Sequence, residues 1–589
     1  MSRIMRLSIG AMATGLAIAV SACGGGSGSA GSASLGVPNK QDTSGKQGGT
    51  LTVLASGDVD YIDPGAAYYQ FSYMIDYATQ RPLYSWAPDE TQTPTPDLAV
   101  AQPKVSNSGK TITVEIRPNI LYSPPLQKQA VTSADVKYGI ERGFMPSVAN
   151  GYATAYLGNI VGAAEFSEGK ATEISGITTP TPTTIVFNLT KPTTAAVIGA
   201  LALPLSAPVP ESYAAKYDAG KTSTYGTHQV STGPYMIRNN AAGETVGYQV
   251  GKSIDLVRNP NWDAKTDYRK AYLNEIKVTE GNADSAVASR QILQGQSQIN
   301  GDFGPPPAQL QQLFQKKSSQ LVLAPSGGIR YVALNTTVAP LDNLNVRKAI
   351  VAVSDREAMR KARGGEALGP IATHFIPPEM PGFDQAGGEK GPDYDFLANP
   401  TGNLALAQSY MKKAGYPSGS YTGSQVLQIV GTSGGQAQKL AEITQAQLAK
   451  LGFKTKLQLV TQDAMYTQFC NVPKKAVAVC PNVGWLKDFN DAQTILVPTF
   501  NGENIVQVNN SNWPQLNVPS INEAMNSAQL ITDPNKAADA WAAIDKQVTA
   551  QAPAIPWIWD QQPNIASQNV QGVISKFNAQ WDLSFTSIK

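Results

Sequence analysis

The chain has 589 residues, 42% hydrophobic and 15% charged, enough to bury a large core and to divide into several domains. A formal net charge of +2 without Lys/Arg clusters excludes general electrostatic attraction to nucleic acid or anionic lipid. With only two histidines and three cysteines, and no EF-hand, His-Glu-x-x-His or Walker pattern, the sequence offers no metal, cofactor or nucleotide site.

The N-terminus sets the compartment. Arg3 and Arg6 precede an apolar run, Leu7 to Val20, that is short for a membrane span, and Val20-Ser-Ala-Cys23 closes it. Residues 1–22 read as a signal peptide. The closing tetrapeptide resembles the bacterial lipobox, which makes Cys23 the expected lipidation site, an ordinary secretory signal being the alternative. Residues 23–47 begin with a Gly/Ser-rich tether, so the protein is expected outside the cytoplasm, anchored to the cell membrane through two acyl chains. There, Cys470 and Cys480 are expected to form a disulfide, although spacing alone leaves two free buried thiols open.

In chain order, residues 48–54 alternate as a first strand and Tyr68 to Thr79 form an aromatic-rich helix candidate. Residues 110–117 and 184–189 alternate as half-buried strands, and a cap-forming Thr132-Ser-Ala-Asp135 opens a helix over 132–142. Residues 345–353 have helical spacing. Strand 426–430, helix 436–450 and strand 453–459 form a strand-helix-strand unit that predicts parallel pairing. Ala476-Val-Ala-Val479 reads as the end of a buried strand, followed at once by Gly484-Trp-Leu-Lys-Asp-Phe-Asn-Asp491. The fold class is mixed α/β.

Several motifs occur together: Pro96-Asp-Leu-Ala99, Thr111 to Arg117, Thr132-Ser-Ala-Asp-Val136, Ser231-Thr-Gly-Pro-Tyr235, Leu256-Val-Arg-Asn-Pro-Asn-Trp262, Tyr331-Val-Ala-Leu-Asn335, Val346-Arg-Lys-Ala349 with Asp355-Arg-Glu357, Ala414-Gly-Tyr-Pro417 and Ala552-Pro-Ala-Ile-Pro556. In this order they resemble the extracytoplasmic solute-binding proteins of peptide-type ABC importers, over the whole mature chain. The resemblance implies a two-lobed periplasmic-binding-protein-like fold with an extra inserted domain in the first lobe. It places lobe I at 48–97, 228–327 and 557–589, the inserted domain at 98–227 and lobe II at 328–556. It also implies a monomer that captures peptides, expected to be oligopeptides, between its lobes and delivers them to membrane permease subunits served by cytoplasmic ATPases.

Peptide-binding members carry a Gly-Trp-x-x-Asp stretch whose aspartate pairs with the ligand α-ammonium while neighbouring backbone binds the peptide main chain as an added strand would. The matching residues are Gly484, Trp485 and Asp488, with Leu486 beside them; Tyr156, Tyr69 and Gln70 are further candidates facing the cleft, and for the aromatic ones a core role is equally open. For Asp488 and Asp491 the bland alternative is helix capping, with Trp485 in the core. Phe489 and Ala492 depart from the family's Tyr and Pro, so a sugar, nickel chelate or other small solute is the alternative ligand class, and nutrient uptake is not separable from peptide sensing. Gly431-Thr-Ser-Gly-Gly435 matches a hydrolase nucleophile pattern between strand and helix, but His228 and His374 both precede Ser433, against that motif's order; a permissive turn explains the glycines and the chain is read as no enzyme.

Overall fold

The structure, a computed structural model, describes residues 35–507 and 510–589. The expected signal peptide, the expected lipidation site Cys23 and the start of the expected tether lie outside these residues.

Two large sheets organise the chain. In the first, Ile299–Asn300, Thr50–Leu54 and Glu275–Thr279 run parallel, and Ser253–Arg258 and Tyr235–Ile237 continue antiparallel, with Tyr248–Gln249 paired to Ser253–Arg258. Strand alternation sends Leu51, Val53, Ile254, Leu256, Ile276 and Val278 into one core. Helix Gln70–Thr79 covers that core with Phe71, Met74, Ile75 and Ala78, a spacing that puts all four on one face. The helix starts two residues later than its aromatic run suggests, because the Asp60 carboxylate accepts the amides of Tyr68 (2.8 Å) and Tyr69 (3.1 Å) and holds them outside the first turn.

A separate antiparallel sheet orders Lys104–Ser106, Thr111–Glu115, Thr184–Asn188 and Ile177–Thr181. Its inward residues Ile112, Val114, Ile185 and Phe187 pack with Val136 and Ile140 of helix Ser133–Arg142. That helix is opened by Asp135, which accepts the Thr132 amide at 2.8 Å.

The second large sheet runs Lys454–Val460, Val426–Thr432, Val479–Leu486, Leu321–Leu334 and Ala554–Ile565. The first two strands pair in parallel around helix Gly435–Ala449, whose Leu440 and Leu448 are buried. Strand Val479–Leu486 begins where the apolar run was expected to end. Pro473 opens a tight turn, and Ala476 takes φ +48°, so the ladder starts only at Val479 and includes Gly484, Trp485 and Leu486.

The strands Leu321–Leu334 and Ala554–Ile565 join the lobes. Val322, Ala324 and Ala566 meet the first core, whereas Ile329, Tyr331, Ala333, Ala554 and Trp559 meet the second. Residues 328 and 557 therefore fall inside these long strands rather than in loops. Their register shifts between Pro325 and Gly328, where Gly327 has φ +60°. Beside the shift Asp560 accepts from Arg330 Nε (2.6 Å) and Arg363 Nη2 (2.7 Å). Burial alone would raise the Asp560 carboxyl, but the two arginines outweigh it and hold it below its ordinary value. Among the described residues no helix is long and apolar enough to cross a membrane.

Candidate functional site

Strand Val479–Leu486 is bonded along one edge by the lobe-joining strand, with Gly328 opposite Leu486, Ile329 opposite Trp485 and Arg330 opposite Gly484. Along its other edge the neighbouring strand meets it at a single pair, Ile429 with Val479. Beyond that pair no described strand occupies the second edge, so its backbone groups near Gly484 and Leu486 are placed where an extended chain could add. At Gly484 the Arg330 guanidinium lies over the strand, and a Cβ there would fall 2.9 Å from its Nη1.

The strand is fixed at both ends. At its start a disulfide joins Cys480 to Cys470, with Cα atoms 6.3 Å apart. The segment Met465–Cys470 thereby stays against the strand and sets the Tyr466 hydroxyl 3.5 Å from the Gly484 amide that donates to it. At its end Trp485 is half-buried, and its indole N–H donates to Thr494 O at 2.6 Å. Asp491 accepts the Gln493 amide at 2.9 Å and so serves the first turn of helix Gln493–Phe500. Capping thus accounts for Asp491, though not for Asp488.

Asp488 crosses from the second lobe to the first. Its Oδ2 accepts from Tyr68 Oη at 3.1 Å and, more closely, from Tyr156 Oη. Phe489 follows it into the core of the inserted domain, edge-on to Tyr156 with ring centroids 4.9 Å apart. Tyr152 completes the aromatic wall, 5.3 Å from Tyr68 and 6.1 Å from Tyr156. Burial raises the Asp488 carboxyl to about 6, against the opposing effect of the two tyrosine hydrogen bonds. Burial, reinforced by the same carboxylate, pushes the Tyr68 and Tyr156 phenols far above their ordinary range, so both keep their protons and act as donors. A carboxylate enclosed by neutral donors and rings, with no cation among its described partners, is suited to receive one.

Of the residues singled out in the sequence, Gly484, Trp485, Leu486, Asp488 and Tyr156 lie together here. For Tyr69 and Gln70 the described hydrogen bonds include none to Asp488; Tyr69 is 52% exposed, and Gln70 opens its helix half-buried. The neighbouring Tyr68 makes that contact instead, because Asp60 fixes the turn that orients it. Tyr152 was also missed, although its i, i+4 spacing to Tyr156 was a readable sign of a shared face. His374 and His228 are engaged elsewhere, His374 between Asp545 (2.7 Å) and Gly388 O (3.0 Å), and His228 stacked on Tyr217. Among the described residues no group of three or more His, Cys, Asp or Glu side chains could hold a metal ion.

Residues 93–507 match the family described as bacterial extracellular solute-binding proteins, family 5 Middle, and the chain belongs to that family. It is 25% identical over 571 residues to the oligopeptide-binding protein OppA of Bacillus subtilis, covering 95% of this chain and 94% of that one. It is also 25% identical over 350 residues to heme-binding protein A of Haemophilus influenzae, a match that spans 58% of each chain. The solved structure of clavulanic acid biosynthesis oligopeptide binding protein 2 superposes with a TM-score of 0.80 at 24% identity, over 92% of this chain and 96% of that one. The two-lobed α/β fold with an inserted domain is the fold of this family.

Proposed function

We propose that the protein captures peptides in the cleft between its lobes, with Asp488 pairing to the ligand α-ammonium and the free edge of Val479–Leu486 bonding to the peptide backbone. One observation carries the reading: Asp488 is a buried carboxylate held, among the described residues, by neutral hydroxyls, at the lobe junction, next to a strand edge that no described strand occupies beyond Val479. An extended backbone and a charged end are the features common to all peptides, and these two elements match them. The ammonium would replace tyrosine donors with a charge-assisted bond that contributes about 1.5–3 kcal/mol net. The oligopeptide-binding name of the long Bacillus relative supports the same ligand class.

Within this reading the lobes comprise 48–97, 228–327 and 557–589 against 328–556, with 98–227 inserted. The protein acts as a monomer outside the cytoplasm, anchored through Cys23, and passes its ligand to permease subunits driven by cytoplasmic ATPases. No chemistry on the ligand is required. The Gly431–Gly435 motif serves as a turn, its Ser433 amide donating to Val460 O at 2.7 Å.

Calorimetric titration of the stripped soluble domain with short peptides, free and N-acetylated, tests the site. Free peptides should bind and acetylated ones should not, and Asp488→Asn should weaken free-peptide binding by about 10- to 100-fold. Equal binding of both forms would remove Asp488 from the amine-reading role. Absence of all peptide binding would turn the search to sugars, chelates and other small solutes.

A further inference from the structure

Lys487 sits between the strand and Asp488, and its surroundings differ from those of other cations near the lobe junction. It is only 9% exposed. Its amide donates to Gly327 O at 3.1 Å, and its aliphatic stem lies over that glycine, where an added Cβ would come within 2.5 Å of the lysine Cδ. Its ammonium rests 4.4 Å from the centroid of Phe577, whose ring is stacked on Trp86 at 3.6 Å. Nearby carboxylates are taken by other cations: Asp89 by Lys576 at 3.0 Å, and Asp560 by Arg330 and Arg363. No ion pair of the described residues includes Lys487. Burial pushes the ammonium down to about 8, offset only in part by the exposed Glu379 carboxylate.

A desolvated cation on an aromatic face, with no described carboxylate in ion-pair contact and only the exposed Glu379 acting on it as a charge, costs the folded protein stability unless an anion arrives. We infer that Lys487 receives a carboxylate of the bound ligand, making it the anion-reading neighbour of Asp488. The inference rests on the peptide reading of Asp488. The two side chains leave adjacent Cα atoms, ~3.8 Å apart, and diverge, Asp488 toward Tyr68 and Tyr156 and Lys487 toward Phe577. Allowing for side-chain reach, their charged ends are separated by at most roughly 14 Å, and a di- or tripeptide, at ~3.3–3.6 Å per extended residue, falls within that reach. The carboxylate is therefore the C-terminus of a di- or tripeptide, or an acidic side chain near the start of a longer one.

The test compares wild type, Lys487→Met and Lys487→Arg by calorimetry. Methionine keeps the stem over Gly327 without the charge. Di- and tripeptides are offered with free and amidated C-termini, and amidated pentapeptides with Glu or Gln at position two or three. Wild type should prefer the carboxylate-bearing member of at least one pair by about tenfold, the methionine variant should lose that preference, and the arginine variant should retain most of it. Short peptides carrying the effect identify the C-terminus as the source, and pentapeptides identify the side chain. Thermal unfolding without ligand supplies a second readout: Lys487→Met should unfold at an equal or higher temperature, whereas a purely structural Lys487–Phe577 contact would make it unfold lower.

Acetylation-sensitive binding with no carboxylate preference in any pair would leave the Asp488 reading intact and overturn this one. Should no peptide bind, the peptide reading fails, and succinate and citrate are titrated instead. Binding abolished by Lys487→Met would then sustain an anion site, and its absence would overturn it.

Discussion

At Asp488 two physical demands oppose each other: burial favours the neutral acid, whereas pairing with an ammonium requires the carboxylate. With the closed, ligand-free carboxyl raised to about 6, protonation competes with ligand binding. The closed form without ligand holds a proton that a solvent-exposed Asp488 releases, so that form is favoured at low pH and loses ground as pH rises through about 6. Affinity for a free peptide should rise over the same interval and level above it, until the ligand amine itself deprotonates near pH ~8. Calorimetry at pH 5 should give binding about tenfold weaker than at pH 7, and Asp488→Asn should flatten this limb. Asp97, within the Pro96-Asp-Leu-Ala99 motif, has a different task. It bonds Arg81 Nε at 2.8 Å and Arg269 Nη2 at 3.0 Å, all three side chains being buried. Asp97→Ala leaves Asp267 as the one ion-pair partner of both guanidiniums among the described residues and should cost about 3–5 kcal/mol, read from urea unfolding.

In the proposed mechanism, closure of the lobes depends on how one element accepts another. Phe489 lies against helix Thr194–Ala200 at Gly199, where an added Cβ would fall 2.3 Å from the ring Cγ. The helix itself would gain from alanine, by about 1 kcal/mol of propensity. Gly199→Ala should therefore leave thermal stability equal or higher while opposing the seating of Phe489. The expected outcome is several-fold weaker ligand binding and a larger radius of gyration in solution scattering; unchanged closure would show that the ring finds another seat. The same pair illustrates what is hidden at element scale. Ser133–Arg142 and Gly435–Ala449 were legible because caps, apolar spacing and turn glycines act locally. Ala476 to Leu486 was misread because an apolar run alone does not say where ladder bonding begins.

At the scale of the whole molecule, ligand and stability are linked by mass action. A peptide that binds only the folded protein adds about 2.7 kcal/mol when its free concentration is 100 times Kd. Thermal unfolding should shift upward accordingly, for free peptides and not for acetylated ones. The lobes are joined by Leu321–Leu334 and Ala554–Ile565, whose register shifts beside Gly327, and Lys487 leans on that point.

By itself the sequence determined the α/β class, most of the strands and helices, and the Gly484-to-Asp488 stretch, because alternation, capping and turn preferences are written in neighbouring residues. The motif order carried the family resemblance across the chain. Only the tertiary structure decided that Tyr68 bonds Asp488, that Asp491 accepts the first amide of a helix, and that no described strand follows the second edge of Val479–Leu486 beyond Val479. It also decided that no ion pair of the described residues includes Lys487: Asp560 and Asp89 come from distant parts of the chain and are engaged by other cations, and Glu379, from a third part, acts on it only as an exposed charge. Pairing, burial and charge compensation depend on what distant parts of the chain bring to one place, and no local pattern specifies that.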